Sequence, residues 1–450
     1  MILALFSAAL CINPGFIAQV NFTALEQLKY SFIPIINKEI KEVDLNDQID
    51  LGELKINRVH ASIDPFTPEE FKIEGADNNV MKMSLSNISF HIDTDVEVKK
   101  SFFHDSGSIK MTGKVDRVDI SVSSNPFNEA DPRPYCTVQI NNISLNPDNW
   151  DFKLDIKYIP DFIANFIMSI VKKTALKSII DQVSATAVKS ANELVTKTIA
   201  DYYPLSIDTE YDTSLSTKLT GMLSFDDMSA FVPVDGTFYD TKAGYSHKDN
   251  PDPIITKLSD QCTVDMFLTE YTVNTLFNSL FNKDIEFSFK SLNFKVITED
   301  DKKVVSFKNN NIILDKFSLT FRGEVQGVFV EANTVTSAEL FIKSTDASQK
   351  TIEFGINSLN FDQFEIKSSF PFVDKSASII KSLIYLALKL KNSVKVKIPT
   401  FYLPFDIDLT GIEAAINEEN MRFGVRFDVD TVNKLLLSYN EMLKTEKSLL

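Results

Sequence analysis

Hydrophobic positions recur at helical spacing along the whole of residues 158–204, YIPDFIANFIMSIVKKTALKSIIDQVSATAVKSANELVTKTIADYYP. Phe162, Phe166, Ile170, Leu176, Ile180, Val183, Ala187, Ala191 and Leu194 form one stripe. Ile163, Ile167, Val171 and Ile179 widen it. Pro160 opens the segment, Pro204 closes it, and no Gly or Pro lies between. The pattern predicts one helix about twice as long as the usual 8–20 residues.

Elsewhere the period alternates between three to four and two. A first helix is predicted over 22–41, with Leu25, Leu28, Phe32, Ile36 and Ile40 on one side and Pro34 as a kink. Alternating segments fill 51–156. A second round opens with a predicted helix near 263–282, carrying Val264, Phe267, Leu268, Tyr271, Leu276, Phe277 and Leu280. Strands then run to about 366 and a helix over 374–391 carries Ile379, Ile380, Leu383, Leu386 and Leu390. MRFGVRFDVD, 421–430, closes the set, and the last twenty residues form a weak amphipathic tail. Between the rounds, 203–258 is rich in Asp, Thr, Gly and Pro and reads as a linker.

Several strands change parity. Met81, Met83 and Leu85 share a face, yet beyond Asn87 the apolar set is Ile88, Phe90, Ile92, Val96 and Val98. In TIEFGINSLNFDQFEI the set passes from Ile352, Phe354 and Ile356 to Leu359 and Phe361, then to Phe364 and Ile366. A parity change requires a bulge or a sharp bend. Long strands that bend repeatedly predict highly curled antiparallel sheets. A sheet curled around a long helix would leave a tubular apolar interior.

At 450 residues the chain is long enough for two or three domains. With 44% hydrophobic residues and 36 Phe, it can fill large cores. A net charge of −16 opposes nucleic acid, whose phosphates need a basic face, and tight docking on anionic membranes. Ile2 to Leu10 form a short apolar run, and Ala9-Leu10-Cys11 offers small residues for cleavage, so residues 1–11 are expected to be a signal peptide. Sequons at Asn21, Asn87 and Asn142 fit an extracellular glycoprotein or one of an endomembrane lumen. After removal of that segment only Cys136 and Cys262 remain, so stability should come from the core and not from cross-links. No other run of 18 apolar residues occurs, and Lys172, Lys173, Lys177 and Asp181 interrupt the long helix, so no spanning helix is expected.

Catalytic signatures are missing. There is no G-x-S-x-G, phosphate-binding Gly-rich loop, H-E-x-x-H or C-x-x-C, and only four histidines occur: His60, His91, His104 and His247. His91, Asp93 and Asp95 share a strand face that reads as solvated. DLNDQIDLGE, 44–53, has Ile49 where a calcium loop needs Gly. His247 falls in the polar linker. The expectation is a protein that is not an enzyme, with no metal and no cofactor beyond lipid cargo.

A resemblance gives this pattern a meaning. NPGF (13–16), LSNISFHIDTDVEVKKSFFHDSG (85–107), SVSSNP (121–126), VPVDGTFY (232–239) and VDMFLTEYTVNTLF (264–277) stand in an order and spacing that covers nearly the whole chain. They resemble the family of bactericidal/permeability-increasing protein, lipopolysaccharide-binding protein, cholesteryl ester transfer protein and phospholipid transfer protein. The long helix is similar in position to the second helix of that family's N-terminal domain. The resemblance implies an α+β fold: an elongated two-domain boomerang, each domain a highly curled antiparallel sheet wrapped on long helices, joined by a central sheet. The implied domains are 12–210 (N-terminal tube), 211–258 (central sheet and linker) and 259–450 (C-terminal tube). Each tube would hold phospholipid acyl chains, at about 0.8 kcal/mol per buried CH2.

Expected pocket positions on the apolar faces are Leu28, Phe32, Ile36, Phe162, Phe166, Ile170, Leu176, Ile180 and Val183. In the C-terminal half they are Phe267, Tyr271, Phe277, Ile380 and Leu383. The family's N-domain disulfide would join Cys136 to a position that is Ser184 here, so Cys136 is expected to be a free thiol. The family's Lys-rich tip keeps Lys99 and Lys100 but adds Asp93, Asp95 and Glu97, which repel a phosphorylated glycolipid. Phe102 and Phe103 beside those lysines are candidates to dip into a membrane or lipid-particle surface. The reading is a monomeric, secreted or lumenal lipid-binding and lipid-transfer protein. Its alternative is a host-defence protein of the lipopolysaccharide-binding or bactericidal type that recognises lipid without transferring it.

Overall fold

The computed structural model describes residues 13–250 with short gaps, densest over 24–41, and 262–427 with longer ones; residues 1–12, 251–261, 369–381, 383–392, 398–408 and 428–450 lie outside it. Strands dominate what is described, arranged as four antiparallel sheets.

The largest is an eight-stranded sheet in the N-terminal half. Its main path runs Glu42–Leu45, Leu54–Ile63, Val80–Lys100, Phe103–Ser124, Cys136–Leu145, with Ile49–Asp50, Phe71–Asp77 and Asp151–Asp155 paired alongside. The helix predicted from the apolar stripe packs on it as Asp161–Ile170, a π-helical turn Val171–Ala175, and Leu176–Tyr202. It touches the edge strands Glu42–Leu45 and Cys136–Leu145.

The buried positions of this helix are Ile163, Ile167, Val171, Ala175, Leu176, Ile179, Ile180 and Val183. In its first half it is thus the flanking row, and not the Phe162–Phe166–Ile170 row, that faces the sheet. A spacing of four residues drifts by about 40° per step around a regular α-helix. The wider π turn at 171–175 takes up that drift and keeps Leu176, Ile179 and Ile180 on the sheet. Over 184–201 no residue of the helix is fully buried, and Leu194 is 40% exposed.

The expectation of an α+β fold, with curled sheets wrapped on long helices into tubular domains, is corrected here. Among the described residues there is one long helix, it lies against an open sheet, and the sheets are not closed on themselves. The physical reason lies in how the parity changes are absorbed. In Thr351–Ser368 the pairing skips Asn357 and Asp362, two local bulges at the two slips. In Val80–Lys100 there is no bulge against the hairpin partner. Asn87 instead adopts a left-handed backbone (φ 58°), where the other neighbour changes from Phe71–Asp77 to Leu54–Ile63. Single-residue devices re-aim the side chains without rolling the whole sheet.

A six-stranded sheet unites distant parts of the chain in the order Ser224–Phe225, Ser229–Val234, Phe16–Asn21, Val264–Leu268, Met421–Phe427, Leu409–Ile416. Two expectations are corrected by it. The helix predicted near 263–282 begins as a strand, Val264–Leu268, and becomes helical only at Glu270–Phe281. Backbone pairing on both sides, with Phe16–Asn21 and Met421–Phe427, overrides the helical spacing there. The presumed linker over 203–258 contains paired strands of this sheet and of a three-stranded sheet, Ser206–Asp208, Thr213–Ser216 and Phe238–Asp240. Gly15 is required where these parts meet, since a Cβ there would lie 2.1 Å from the Asp235 carbonyl oxygen and 2.5 Å from Thr272 Oγ1.

The C-terminal half builds a seven-stranded sheet, Ile285–Phe289, Leu292–Thr298, Asn311–Val325, Val328–Ser344, Thr351–Ser368, Ser393–Lys397, with Val305–Lys308 beside Asn311–Val325. Ile312, Leu314, Phe317, Met421 and Phe423 belong to its buried cluster, against which Phe277 packs.

Candidate functional site

The hairpin between Val80–Lys100 and Phe103–Ser124 ends in a turn that holds Phe102 out in solvent at 84% exposure. Phe103, the next residue, points the other way and packs against the N-terminal core, as strand alternation requires. Lys100 leans onto the start of the long helix, its Nζ 3.0 Å from the centre of the Phe166 ring. One helical turn earlier Phe162 is 57% exposed. The turn and the helix start therefore bring two exposed phenylalanines to one end of the N-terminal sheet.

Charge at this end is balanced pair by pair. Lys100 Nζ lies 3.0 Å from Glu53 Oε2, and Glu97 Oε1 lies 2.8 Å from both Lys99 Nζ and His104 Nε2. The Lys99 ammonium, then His104, hold the Glu97 carboxyl down at about 2. Asp50 is also held below the usual carboxylate range, first by the Gly52 backbone N–H and then by Lys55. The site is a pair of exposed aromatic side chains on a collar of neutralised charge, not a cationic tip.

The other expected positions disperse. Leu176, Ile180 and Val183 are buried in the packed cluster between helix and sheet, while Phe166 and Ile170 are half-buried at its margin. Phe267 is buried in the six-stranded sheet. Tyr271 is not part of an apolar wall: its hydroxyl lies 2.7 Å from Thr237 Oγ1, which donates to Asp235 Oδ1 at 2.9 Å. Leu28, Phe32, Ile36, Ile380 and Leu383 lie outside the described residues, as do the signal segment, Cys11, His247 and the tail.

Cys136 and Cys262 are free, with burial pushing each thiol up to about 11. Ser184 sits half-buried on the long helix. Asn87 and Asn142 are exposed, whereas Asn21 is half-buried with its Oδ1 accepting from the Thr23 N–H. Among the described residues no cluster of His, Cys, Asp and Glu could hold a metal, and no helix is long and apolar enough to cross a membrane. His91 is bound instead to Asp64, at 3.1 Å.

No protein-family model matches the chain, and no curated protein does. Among solved structures it is similar to the crystal structure of lipopolysaccharide binding protein, at 13% identity over 93% of this chain and 99% of that one, with a TM-score of 0.44. It is also similar to the structure of P47 from Clostridium botulinum A2, at 12% identity over 94% and 100% of the two chains, with a TM-score of 0.34. Likenesses this slight carry no argument about family or ligand.

Sequence reasoning singled out Lys99, Lys100, Phe102 and Phe103 but placed Phe162 in a pocket. With Ile163 buried, Phe162 turns outward because adjacent helical positions diverge by about 100°, but the two are equally apolar and nothing in the sequence says which faces in.

Proposed function

We propose that this chain is a lipid-binding protein that meets a lipid surface with Phe102 and Phe162. The observation that carries the reading is their joint exposure at one end of the N-terminal sheet. Large aromatic side chains held out in water gain about 1.5–3 kcal/mol each on burial in an apolar phase, and they mark interaction surfaces when they cluster. The lysines around them already meet carboxylates, so the surface they fit is zwitterionic and not strongly anionic. In this reading the protein is secreted or lumenal, works as a monomer without catalytic turnover, and carries lipid between surfaces.

Flotation with phosphatidylcholine vesicles tests it. Wild-type protein is expected to float, and Phe102→Asp with Phe162→Asp is expected to stay at the bottom with an unchanged melting temperature. Flotation of the double variant at the wild-type level rejects the site. Exchange of labelled lipid between two vesicle populations then separates carrier from recognition protein, since only a carrier moves label.

A further inference from the structure

The outward face at the other end of the long hairpin is polar and concave. Strand Val80–Lys100 begins there and Phe103–Ser124 ends there, flanked by Phe71–Asp77 and Cys136–Leu145. The pairing skips Asn141 opposite Asp119 and Ile120, a bulge that turns Asn141 and Asn142 both toward solvent. The result is a cleft of about 500 Å³, within the range of small-ligand sites.

Its walls are pre-organised by their own hydrogen bonds. Arg117 Nη2 donates to both Glu74 oxygens, at 2.7 and 2.9 Å, while its Nε donates to Asp119 Oδ1 at 2.5 Å. Ser84 Oγ donates to Glu74 and Asn142 Nδ2 to Asp119 Oδ2. Ser121 Oγ donates to Asn141 Oδ1, which leaves the Asn141 amide hydrogens free. Val80 adds an apolar patch to the cleft, while Met83 and Ile120 line it from the strands whose other face packs on the core.

The chemistry excludes several ligand classes. The charge of Arg117 is offset by two carboxylates and that of Lys82 by Asp77 at 3.0 Å, so the cleft offers no net positive charge to an anion. The same guanidinium offsets most of the negative charge that a cationic ligand would need, while leaving the outer lone pairs of both carboxylates open. A wall this polar offers little to an acyl chain. What remains is a set of fixed planar acceptors and donors: the outer lone pairs of Glu74 and Asp119, the amides of Gln139 and Asn141, and the Ser123 hydroxyl. Closely spaced hydroxyls above an apolar C–H face are the complement of such a wall.

We propose that this cleft binds a neutral sugar residue. Lys100 is twenty residues further along the strand than Val80, roughly 65 Å of strand length at about 3.3 Å per residue. A sugar held there is therefore a soluble saccharide or the terminus of a glycan, not a headgroup of the surface that Phe102 touches. The inference goes beyond the lipid reading and stands or falls without it.

Saturation-transfer difference NMR on the full chain, with glucose, galactose, mannose and N-acetylglucosamine in turn, tests the proposal. At least one is expected to give saturable transfer with millimolar affinity. Ser123→Trp, which places a ring in the cleft, is expected to weaken it at least about tenfold. Where that variant fails to fold, Gln139→Ala at an exposed position is expected to weaken it about fivefold, the worth of one hydrogen bond. Phe102→Asp is expected to bind sugar as wild type does, whatever it does to vesicles. No saturable transfer from any of the four sugars overturns the proposal. So does wild-type affinity in a folded cleft variant, or loss of sugar binding in Phe102→Asp.

Discussion

Lys100 Nζ stands 3.0 Å above the centre of the Phe166 ring and 3.0 Å from Glu53 Oε2, so one ammonium joins the hairpin end, the long helix and the strand-entry segment before Leu54. An ammonium over an aromatic face contributes about 0.5–2 kcal/mol, depending on how far it is desolvated. Lys100→Met keeps most of the apolar stem and removes the charge. Urea unfolding should show a loss of about 1 kcal/mol, and Phe166→Leu a similar one. In a double-mutant cycle the two should couple by about 0.5–2 kcal/mol. Strict additivity would mean the ring and the ammonium do not interact in solution.

Glu97 should titrate far below an ordinary glutamate. Its folded carboxyl sits at about 2, against 4.5 unperturbed. A depressed carboxyl favours folding above the unfolded value and loses that contribution as pH falls from about 4.5 toward 2. Because Glu97 is exposed to solvent, the readout is its own carboxyl shift in NMR. Lys99→Ala should raise the midpoint more than His104→Ala does, since the Lys99 hydrogen bond is the larger cause. A wild-type midpoint near 4 would dissolve the charge collar around the tip.

Much of the fold was legible where side-chain period and backbone demand agree. The long helix is one such case, as are the two slips in Thr351–Ser368, since a parity change permits few local solutions. Which row of the helix faces inward was not legible. Ile163 and Phe162 are equally apolar, and only the π turn at 171–175 decides which row stays on the sheet. The strand Val264–Leu268 was read as helix because its spacing fits both periods; its neighbours come from residues 16–21 and 421–427, which no local window contains. At the tip Phe102 was legible from its place beside two lysines. The polar cleft at the other end of the hairpin was not, because its walls come from four strands and appear only when those strands are in register.

Asp265 and Arg422 form a buried pair, with Arg422 Nε and Nη2 at 2.8 and 2.7 Å from Asp265 Oδ1. Burial pushes the Asp265 carboxyl above its ordinary value, and Arg422 opposes that rise. Removing one partner of such a pair leaves a buried charge, at a cost of about 3–5 kcal/mol. Arg422→Met should lift the carboxyl further. A raised carboxyl favours folding fully below the unfolded value, near 3.8, and the contribution is lost as pH rises through the folded one. The deficit of Arg422→Met relative to wild type should therefore be small near pH 4 and grow toward neutrality. Urea midpoints across that range decide it, and a deficit independent of pH would show that packing, not charge, is what Arg422 supplies.

Gly113 and Trp150 are bound by shape. A Cβ on Gly113 would fall 2.2 Å from Trp150 Cδ2 and 2.3 Å from Cγ, so the indole lies flat on a strand position that has no side chain. The ring is buried, donates from Nε1 to the Lys114 carbonyl at 3.1 Å, and packs beside Phe90 with ring centres 6.5 Å apart. Gly113→Ala must push the indole off the strand, and overpacking of this kind costs about 1–3 kcal/mol. Trp150 is the chain's single tryptophan, so its emission reports the displacement without labelling. The variant should emit at longer wavelength as the ring meets water, with a lower urea midpoint. Unchanged emission and midpoint would mean the indole does not rest on Gly113, and the edge strand Asp151–Asp155 would need another anchor.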